Sequence, residues 1–181
     1  LMLVSKRRRH LDYLKKHFSR LKVVATEALQ CPTLLLNGFG SHRIEGIGDK
    51  HVPWVHNVLN TDAVAAIDDE DCMRVLRLFN EPEGQNLLSS ERGAVSSEFS
   101  ILGISCICNL LAAIKTAKYY EMNENDVIFT IFTDSSDLYQ SRLKELEEER
   151  GKYSAMQAAK DFAGPLEHQS IDYFKELSYY D

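Results

Sequence analysis

The sequence predicts an α/β fold, with a mainly parallel sheet flanked by helices and a helical extension at the C-terminal end. Three short apolar segments have the composition of buried strands: K-V-V-A-T-E at 22–27, A-V-A-A-I at 63–67 and V-I-F-T-I-F at 127–132. Segments with apolar residues at helical spacing lie between them. Strands that alternate with helices along a chain are typical of a parallel sheet covered by its crossover helices.

The first helix is predicted over residues 5–20, because Leu11, Leu14 and Phe18 recur every three or four positions and form one apolar face. A second helix is predicted directly after the second strand. Asp68 is its expected N-cap, and the three acidic residues that follow favour the positive end of a helix dipole.

The chain from 81 to 99 is polar and rich in turn-forming residues, so no regular element is predicted there. A strongly apolar helix is expected at 105–120. After the third strand, either Ser135 or Ser136 caps a helix at 137–150 that has an acidic outer face.

Two shorter helices are predicted beyond this point, at 154–163 and 165–177, with Gly164 separating them. We therefore divide the chain into an α/β unit at 1–150 and a helical extension at 151–181.

Composition excludes several classes of function. A net charge of -6 and a pI near 5.5 argue against nucleic acid as a partner, because binding phosphate requires a basic surface. The longest apolar stretch, 101–114, is shorter than the roughly 20 residues that span a bilayer. The four apolar residues at the start run directly into a basic cluster, which is the wrong order for a secretory signal. We expect a cytoplasmic protein that binds neither nucleic acid nor membrane.

Four cysteines, Cys31, Cys72, Cys106 and Cys108, are scattered along the chain, which suits free thiols in a reducing compartment. Cys106 and Cys108 form a C-x-C pair. On a helix their side chains would point about 200° apart, so they could not chelate one ion together. No metal site is predicted.

Residues 42–53, H-R-I-E-G-I-G-D-K-H-V-P, resemble the Gly-Ile-Gly loop of fold-type II pyridoxal-phosphate (PLP) enzymes of the cysteine synthase and cystathionine β-synthase family. Residues 103–118 are similar to that family's turn of Gly and Ser before an Ala-rich helix. T-D-S-S-D-L-Y at 133–139 resembles its Pro-Asp-Ser-x-x-x-Tyr motif. The resemblance covers residues 11–143, implies a tryptophan synthase β-like fold, and identifies the extension with a bacterial subgroup of cysteine synthase-like proteins.

The resemblance implies pyridoxal 5'-phosphate as the cofactor and five cofactor-binding residues: Ser135, Gly46, Ile47, Gly48 and Ser105. Ser135 would contact the pyridine nitrogen. A neutral hydroxyl at a helix N-terminus disfavours a positively charged ring, which suits β-elimination and β-replacement. Two plainer interpretations remain open, since Ser135 could be an ordinary helix cap and the glycines could serve only a turn with positive φ.

Two parts of the family's cofactor site find no match. The lysine that forms a Schiff base with PLP is not identified, so no catalytic residue is assigned. The Gly-rich phosphate loop would fall near residues 2–6, which contain no glycine. We therefore expect the C-terminal portion of a PLP-dependent lyase or transferase of cysteine biosynthesis, acting on serine or an activated serine and inactive alone. The expected partners are an amino-acid substrate and either a second copy, in a dimer, or a complementary N-terminal half.

Two alternatives belong to other classes. Ser105, Asp134 and His168 follow the chain order of an α/β-hydrolase triad. The chain could also be a non-catalytic remnant that binds a partner through an exposed sheet edge, because unpaired strands favour association.

Overall fold

Helices and strands alternate in the computed structural model, which describes residues 2–4, 8–52, 56–92 and 96–178. The strands are β1 (Met2–Val4), β2 (Lys22–Ala28), β3 (Ala63–Ile67), β4 (Ile128–Thr130) and β5 (Phe174–Glu176). The α-helices are α1 (Arg8–His17), α2 (Asp69–Asn80), α3 (Pro82–Arg92), α4 (Ser96–Phe99), α5 (Ile104–Tyr119), α6 (Gln140–Arg150) and α7 (Ala155–Asp161). Short 3-10 turns lie at Val58–Asn60 and Ser136–Tyr139.

The five strands form one sheet in the order β4-β1-β2-β3-β5. The first four run parallel and β5 runs antiparallel to β3, which confirms the predicted mainly parallel sheet. β1 lies between β2 and β4, with Met2 opposite both Lys22 and Ile128. The sequence did not predict this strand, because three residues are too few to show a period.

The core lies between the sheet and the two helices α2 and α5. Met73 and Leu76 of α2 and Ile107 and Leu111 of α5 are fully buried there. Asp68 accepts a hydrogen bond from the backbone N–H of Glu70 at 2.9 Å, which confirms the predicted N-cap. None of the described helices is long and apolar enough to cross a membrane.

The prediction of an irregular segment at 81–99 is wrong, because α3 and α4 occupy most of it. Pro82 stands at the first position of α3, where its missing N–H costs no helical hydrogen bond. Leu88 is buried, and Phe99 stacks on Phe79 with ring centroids 5.1 Å apart. Packing against neighbouring helices thus outweighs a polar composition.

The predicted helix at 165–177 is also wrong. After α7 the chain continues as a π-helical turn, Phe162–Glu167, through Gly164 and Pro165. It then becomes β5, which pairs with the edge of β3, and Phe174 stacks on Tyr119 at 4.1 Å. Hydrogen bonding to the backbone N–H and C=O groups at the edge of β3, together with this aromatic contact, stabilises the strand more than the local sequence favours a helix.

Buried hydrogen bonds anchor the extension. Asp161, only 1% exposed, accepts from Arg74 Nε at 2.7 Å, from the Tyr153 hydroxyl at 2.9 Å and from Gln157 Nε2 at 2.8 Å. One carboxylate at the end of α7 therefore joins α2 to α7 and to the residues just before it.

Lys115 of α5 provides a second anchor. Its ammonium donates to the backbone carbonyls of Ala66 at 3.0 Å and Asp172 at 2.6 Å. Burial lowers the pKa of this ammonium, because the charged form is removed from water. The sheet and the segment leading into β5 are thereby held to the same helix.

We predict that Asp161→Asn lowers the free energy of unfolding by about 2–4 kcal/mol, because the amide presents N–H groups to donors that need an acceptor. Urea denaturation measures this change. The matched control is Asp137→Asn, whose side chain is exposed and bonds within its own turn, and it should lie within about 0.5 kcal/mol of wild type. Equal effects of the two substitutions would contradict the anchoring role of Asp161.

Candidate functional site

A cavity of about 310 Å³ lies at the C-terminal ends of β2 and β4. Its wall consists of the end of β2, two loop segments at 33–34 and 46–52, His56, the first turns of α5 and the residues that follow β4. Ligands of open parallel sheets bind at this end of the strands. Gly46, Ile47, Gly48 and Ser105 line the cavity, so the structure brings together four of the five residues selected from the sequence.

Gly46 and Gly48 adopt positive φ angles of 84° and 97°, as the turn interpretation requires. Gly48 is also closely packed, since a Cβ atom there would lie 2.5 Å from Nε2 of His42. A Cβ atom on Gly46 would meet nothing within 4 Å. Positive φ angles thus favour glycine at both positions. Only at position 48 does the lack of space for a Cβ atom favour glycine as well.

An ion-pair cluster holds this loop against α2. The backbone N–H of Arg43 donates to Asp69 at 2.9 Å, and its guanidinium donates to Asp69 and Glu70 at 2.8 Å each. Arg150 donates twice to Glu70, at 2.6 and 2.9 Å. Burial alone would raise the pKa of the Asp69 carboxyl, but the hydrogen bonds from Arg43 outweigh burial and lower it. The four residues of this ion-pair cluster do not line the cavity, so the cluster holds the loop from the side away from the cavity.

Glu27 holds the other loop segment. This buried residue at the end of β2 accepts hydrogen bonds from the backbone N–H groups of Leu34 at 2.9 Å and Leu35 at 2.8 Å. Burial raises the pKa of its carboxyl, although the backbone hydrogen bonds oppose the increase. Sequence reasoning missed Glu27 and Thr26 as lining residues. Their signal was two polar residues at the end of an apolar strand.

Asp134 caps the N-terminus of α5. Its carboxylate accepts from the backbone N–H groups of Ser105 and Cys106, at 3.2 Å each, and from the hydroxyls of Ser105 at 2.8 Å and Tyr139 at 2.7 Å. Gly103 makes this approach possible, since a Cβ atom there would lie 2.5 Å from Cγ of Asp134. The side chain of Ser105 is therefore fixed at the cavity wall by a carboxylate from the segment after β4.

The same hydrogen bonds set the charge of Asp134. Burial alone would raise the pKa of its carboxyl, but the hydrogen bonds from Cys106, Tyr139 and Ser105 outweigh burial and lower it. Cys106 donates its thiol to this carboxylate at 2.7 Å, whereas Cys108 lies against Cys72 on α2. Each thiol of the C-x-C pair thus has a partner of its own.

Ser135 is the selected residue that the cavity lining does not include. Its hydroxyl accepts from the backbone N–H of Asp137 at 3.3 Å and donates to the Asp137 carboxylate at 3.2 Å. Ser135 is thus the N-cap of the 3-10 turn that precedes α6. Thr133, two residues earlier, lines the cavity and lies 3.3 Å from the Ser105 hydroxyl.

The structure separates the residues of the proposed hydrolase triad. Ser105 bonds directly to Asp134 in the first turn of α5. The His168 ring bonds to the carbonyl of Ala163, and its neighbouring residues contact Lys118 in the last turn of that helix. Thirteen residues of helix correspond to about 20 Å. No imidazole stands between the serine and the aspartate.

The chain resembles known enzymes over 72% of its length. It is 25% identical over 130 residues to cysteine synthase B of Campylobacter jejuni and 30% identical over 133 residues to the O-acetylserine dependent cystathionine beta-synthase of Bacillus subtilis. The chain belongs to the cysteine synthase and cystathionine β-synthase family. It spans 37% of the length of each relative and matches their C-terminal part. No protein-family model matches it.

Solved structures confirm the fold expected from this cysteine synthase resemblance. O-acetylserine sulfhydrylase isoform 3 of Entamoeba histolytica superimposes with a TM-score of 0.65 at 21% identity, over 88% of this chain and 44% of that one. A hydrogen sulfide-producing enzyme of Fusobacterium nucleatum superimposes with a TM-score of 0.61 at 21% identity, over 99% of this chain and 46% of that one. The second match includes the extension.

Cysteine synthase homologues are PLP enzymes, and the cavity fits one part of that cofactor. The hydroxyl of Thr26 is buried in the wall without a hydrogen-bond partner in the described structure, and two glycines allow close backbone approach, so a polar ring fits. The charged lining residues are the carboxylates of Glu27 and Asp49, beside the two histidines His51 and His56. Among the described residues neither lysine nor arginine lines the cavity, so the lining offers the aldehyde no lysine amine and the phosphate no guanidinium or ammonium group.

We predict that Gly48→Ala destabilises the protein more than Gly46→Ala does. Each alanine takes a left-handed conformation at a cost of about 1–2 kcal/mol, but only the first also meets the His42 ring. Adding His42→Ala should recover part of the loss in Gly48→Ala and none in Gly46→Ala. Urea denaturation of the single and double variants measures the coupling, and a coupling of zero would contradict the packing argument.

Asp134→Asn should lower the free energy of unfolding by about 2–4 kcal/mol at pH 7, because it breaks a hydrogen-bonded helix cap. The pKa of Asp134 is lowered in the folded protein, so its carboxylate stabilises the fold above the unfolded pKa near 3.8, and this contribution is lost as pH falls further. The difference between variant and wild type should therefore shrink below about pH 4.

Urea denaturation at several pH values measures this dependence. The control is Asp137→Asn, an exposed neighbour whose side chain bonds only within its own turn. A difference for Asp134→Asn that does not change between pH 7 and pH 3 would contradict the proposed charge of the cap.

Proposed function

We propose that this chain forms one wall of the active site of a PLP-dependent cysteine synthase-like enzyme, which catalyses β-elimination or β-replacement on serine or an activated serine. The observation that carries the proposal is the convergence of the Gly46-Ile47-Gly48 loop and Ser105 on a cavity at the carboxyl ends of a parallel sheet. The same residues carry the resemblance to the family's cofactor loop.

PLP, when bound, supplies an electron sink for the substrate's Cα. The chain's own residues position what enters the cavity. Gly46 and Gly48 let the backbone approach the ring, and the buried side chain of Ile47 lines the cavity beside them. Ser105 presents a hydroxyl whose direction Asp134 sets.

Ser135 remains our proposed partner of the pyridine nitrogen. This contact requires the Ser135 hydroxyl to donate to the ring instead of to the Asp137 carboxylate, since a hydroxyl has one hydrogen to donate. The hydrogen bond that it accepts from the backbone N–H of Asp137 can remain. A neutral hydroxyl there disfavours a protonated ring nitrogen. The unprotonated ring withdraws electrons less strongly, which suits β-elimination and β-replacement.

The chain is inactive alone in this proposal, because the described cavity wall contains no lysine and no cationic group for the phosphate. We assign these groups to a complementary N-terminal half, and we expect the complete enzyme to be a dimer that acts on an amino acid.

We predict that PLP and borohydride leave no covalent adduct on this chain alone, as measured by intact mass. The same treatment should fix the cofactor in a chimera in which this chain replaces the matching part of the Bacillus subtilis relative. The chimera should also show the absorbance band of lysine-bound cofactor.

The unmodified Bacillus enzyme is the positive control. An adduct on a lysine of this chain alone would contradict the proposed division of the site. A folded chimera that holds no cofactor would contradict the proposed function itself.

A further inference from the structure

Three neutral polar side chains line the cavity between α5 and the segment after β4: Ser105, Asn109 and Thr133. Ser105 and Asn109 are four positions apart on one face of α5, and each is only 7% exposed. The hydroxyl of Thr133 lies 3.3 Å from that of Ser105. The three side chains therefore form one patch of the wall, which we name the polar face.

The two hydroxyls of the polar face have no hydrogen left to donate. The Asp134 carboxylate accepts the single hydroxyl hydrogen of Ser105 at 2.8 Å. The contact between Ser105 and Thr133 must then use the hydroxyl hydrogen of Thr133, with Ser105 as the acceptor. The lone pairs that remain on the two oxygens can therefore only accept a hydrogen bond from a ligand.

Asn109 adds a third acceptor. Its amide Nδ2 donates to the backbone carbonyl of Ile131 at 3.0 Å, and this direction is fixed because a carbonyl only accepts. Among the described residues no hydrogen bond reaches its Oδ1 atom. An amide oxygen of a side chain that is more than nine-tenths buried thus lacks a protein partner, which is rare for buried polar groups.

The charge of the cavity favours a cation. Its described lining contains the carboxylates of Glu27 and Asp49, beside His51 and His56, and neither lysine nor arginine. The positive end of the α5 dipole does not oppose a cation there, because the Asp134 carboxylate already caps it. Charge and hydrogen-bond direction therefore select the same kind of ligand, a donor with a positive charge.

We propose that the polar face binds the primary ammonium group of a small ligand. An ammonium has three N–H donors and no acceptor, which matches the acceptor oxygens of Ser105, Asn109 and Thr133. A cavity of about 310 Å³ accommodates an amino acid or a short alkylamine. The inference goes beyond the proposed function, because this chain alone should bind the amine without PLP.

The test is calorimetric titration of the full chain, without PLP, with n-propylammonium, the nearly isosteric n-propanol, and L-serine. n-Propylammonium should bind to a single site, and n-propanol at least about tenfold more weakly, since it lacks the charge and two of the donors. Thr133→Val and Asn109→Leu each remove one acceptor of a charged donor. Each should weaken binding of n-propylammonium about tenfold, which corresponds to about 1.4 kcal/mol.

The matched control is Thr130→Val. It deletes a buried hydroxyl that has no hydrogen-bond partner in the described structure and lies outside the cavity lining, so binding should not change. Circular dichroism and urea denaturation establish which variants fold. Thr133 is exposed, so Thr133→Val decides the result if Asn109→Leu does not fold.

Four results would overturn the inference: no binding of either amine, equal affinity for n-propanol, wild-type affinity in Thr133→Val, or an equal loss in Thr130→Val. Binding of L-serine that also depends on Thr133 would support it and identify the ligand as an amino acid. Binding of n-propylammonium alone would support it and identify an amine without a carboxylate. The chimera tests the proposed function with a different readout, so either proposal can fail without the other.

Discussion

The contact between the Asp134 carboxylate and the first turn of α5 is the interaction on which the candidate site depends. It joins the segment after β4 to the central helix, and thus sets the distance between two walls of the cavity. Five donor groups converge on the carboxylate, and Gly103 leaves the space for it. Because helix N–H groups need an acceptor, the cap stabilises the helix and orients Ser105 at the same time.

Charged side chains also hold the two loop segments of the cavity wall. Those of Arg43, Asp69 and Glu70 lie outside the lining, whereas Glu27 is part of it. Arg43 ties the glycine loop to α2 through Asp69 and Glu70. Glu27 accepts hydrogen bonds from the backbone N–H groups of Leu34 and Leu35 in the other loop segment, and it also lies in the cavity lining. The loops are therefore ordered by the α/β unit itself, and the lining is left polar and acidic. Such a wall offers hydroxyl groups to a neutral ring, but among the described residues it offers a phosphate no lysine or arginine.

That acidic wall explains how firm family membership coexists with an incomplete site. Sequence identity and structural superposition report on the α/β fold. They match 72% and 88% of this chain, respectively. The expected cofactor also requires a lysine and cationic partners for its phosphate, and the described cavity wall contains neither lysine nor arginine. The proposed N-terminal half would supply both.

The sequence by itself determined the α/β alternation, the mainly parallel sheet, the Asp68 cap and the family, because each is written in local patterns of a few consecutive residues. Only the tertiary structure decided that α3 is helical, that residues 174–176 form β5, and that Ser135 lies outside the cavity lining. These outcomes depend on partners distant in sequence: a neighbouring helix, the open edge of β3 and the approach of Asp134 to α5. Local propensity cannot encode such contacts, since their free energy arises only when the two segments meet.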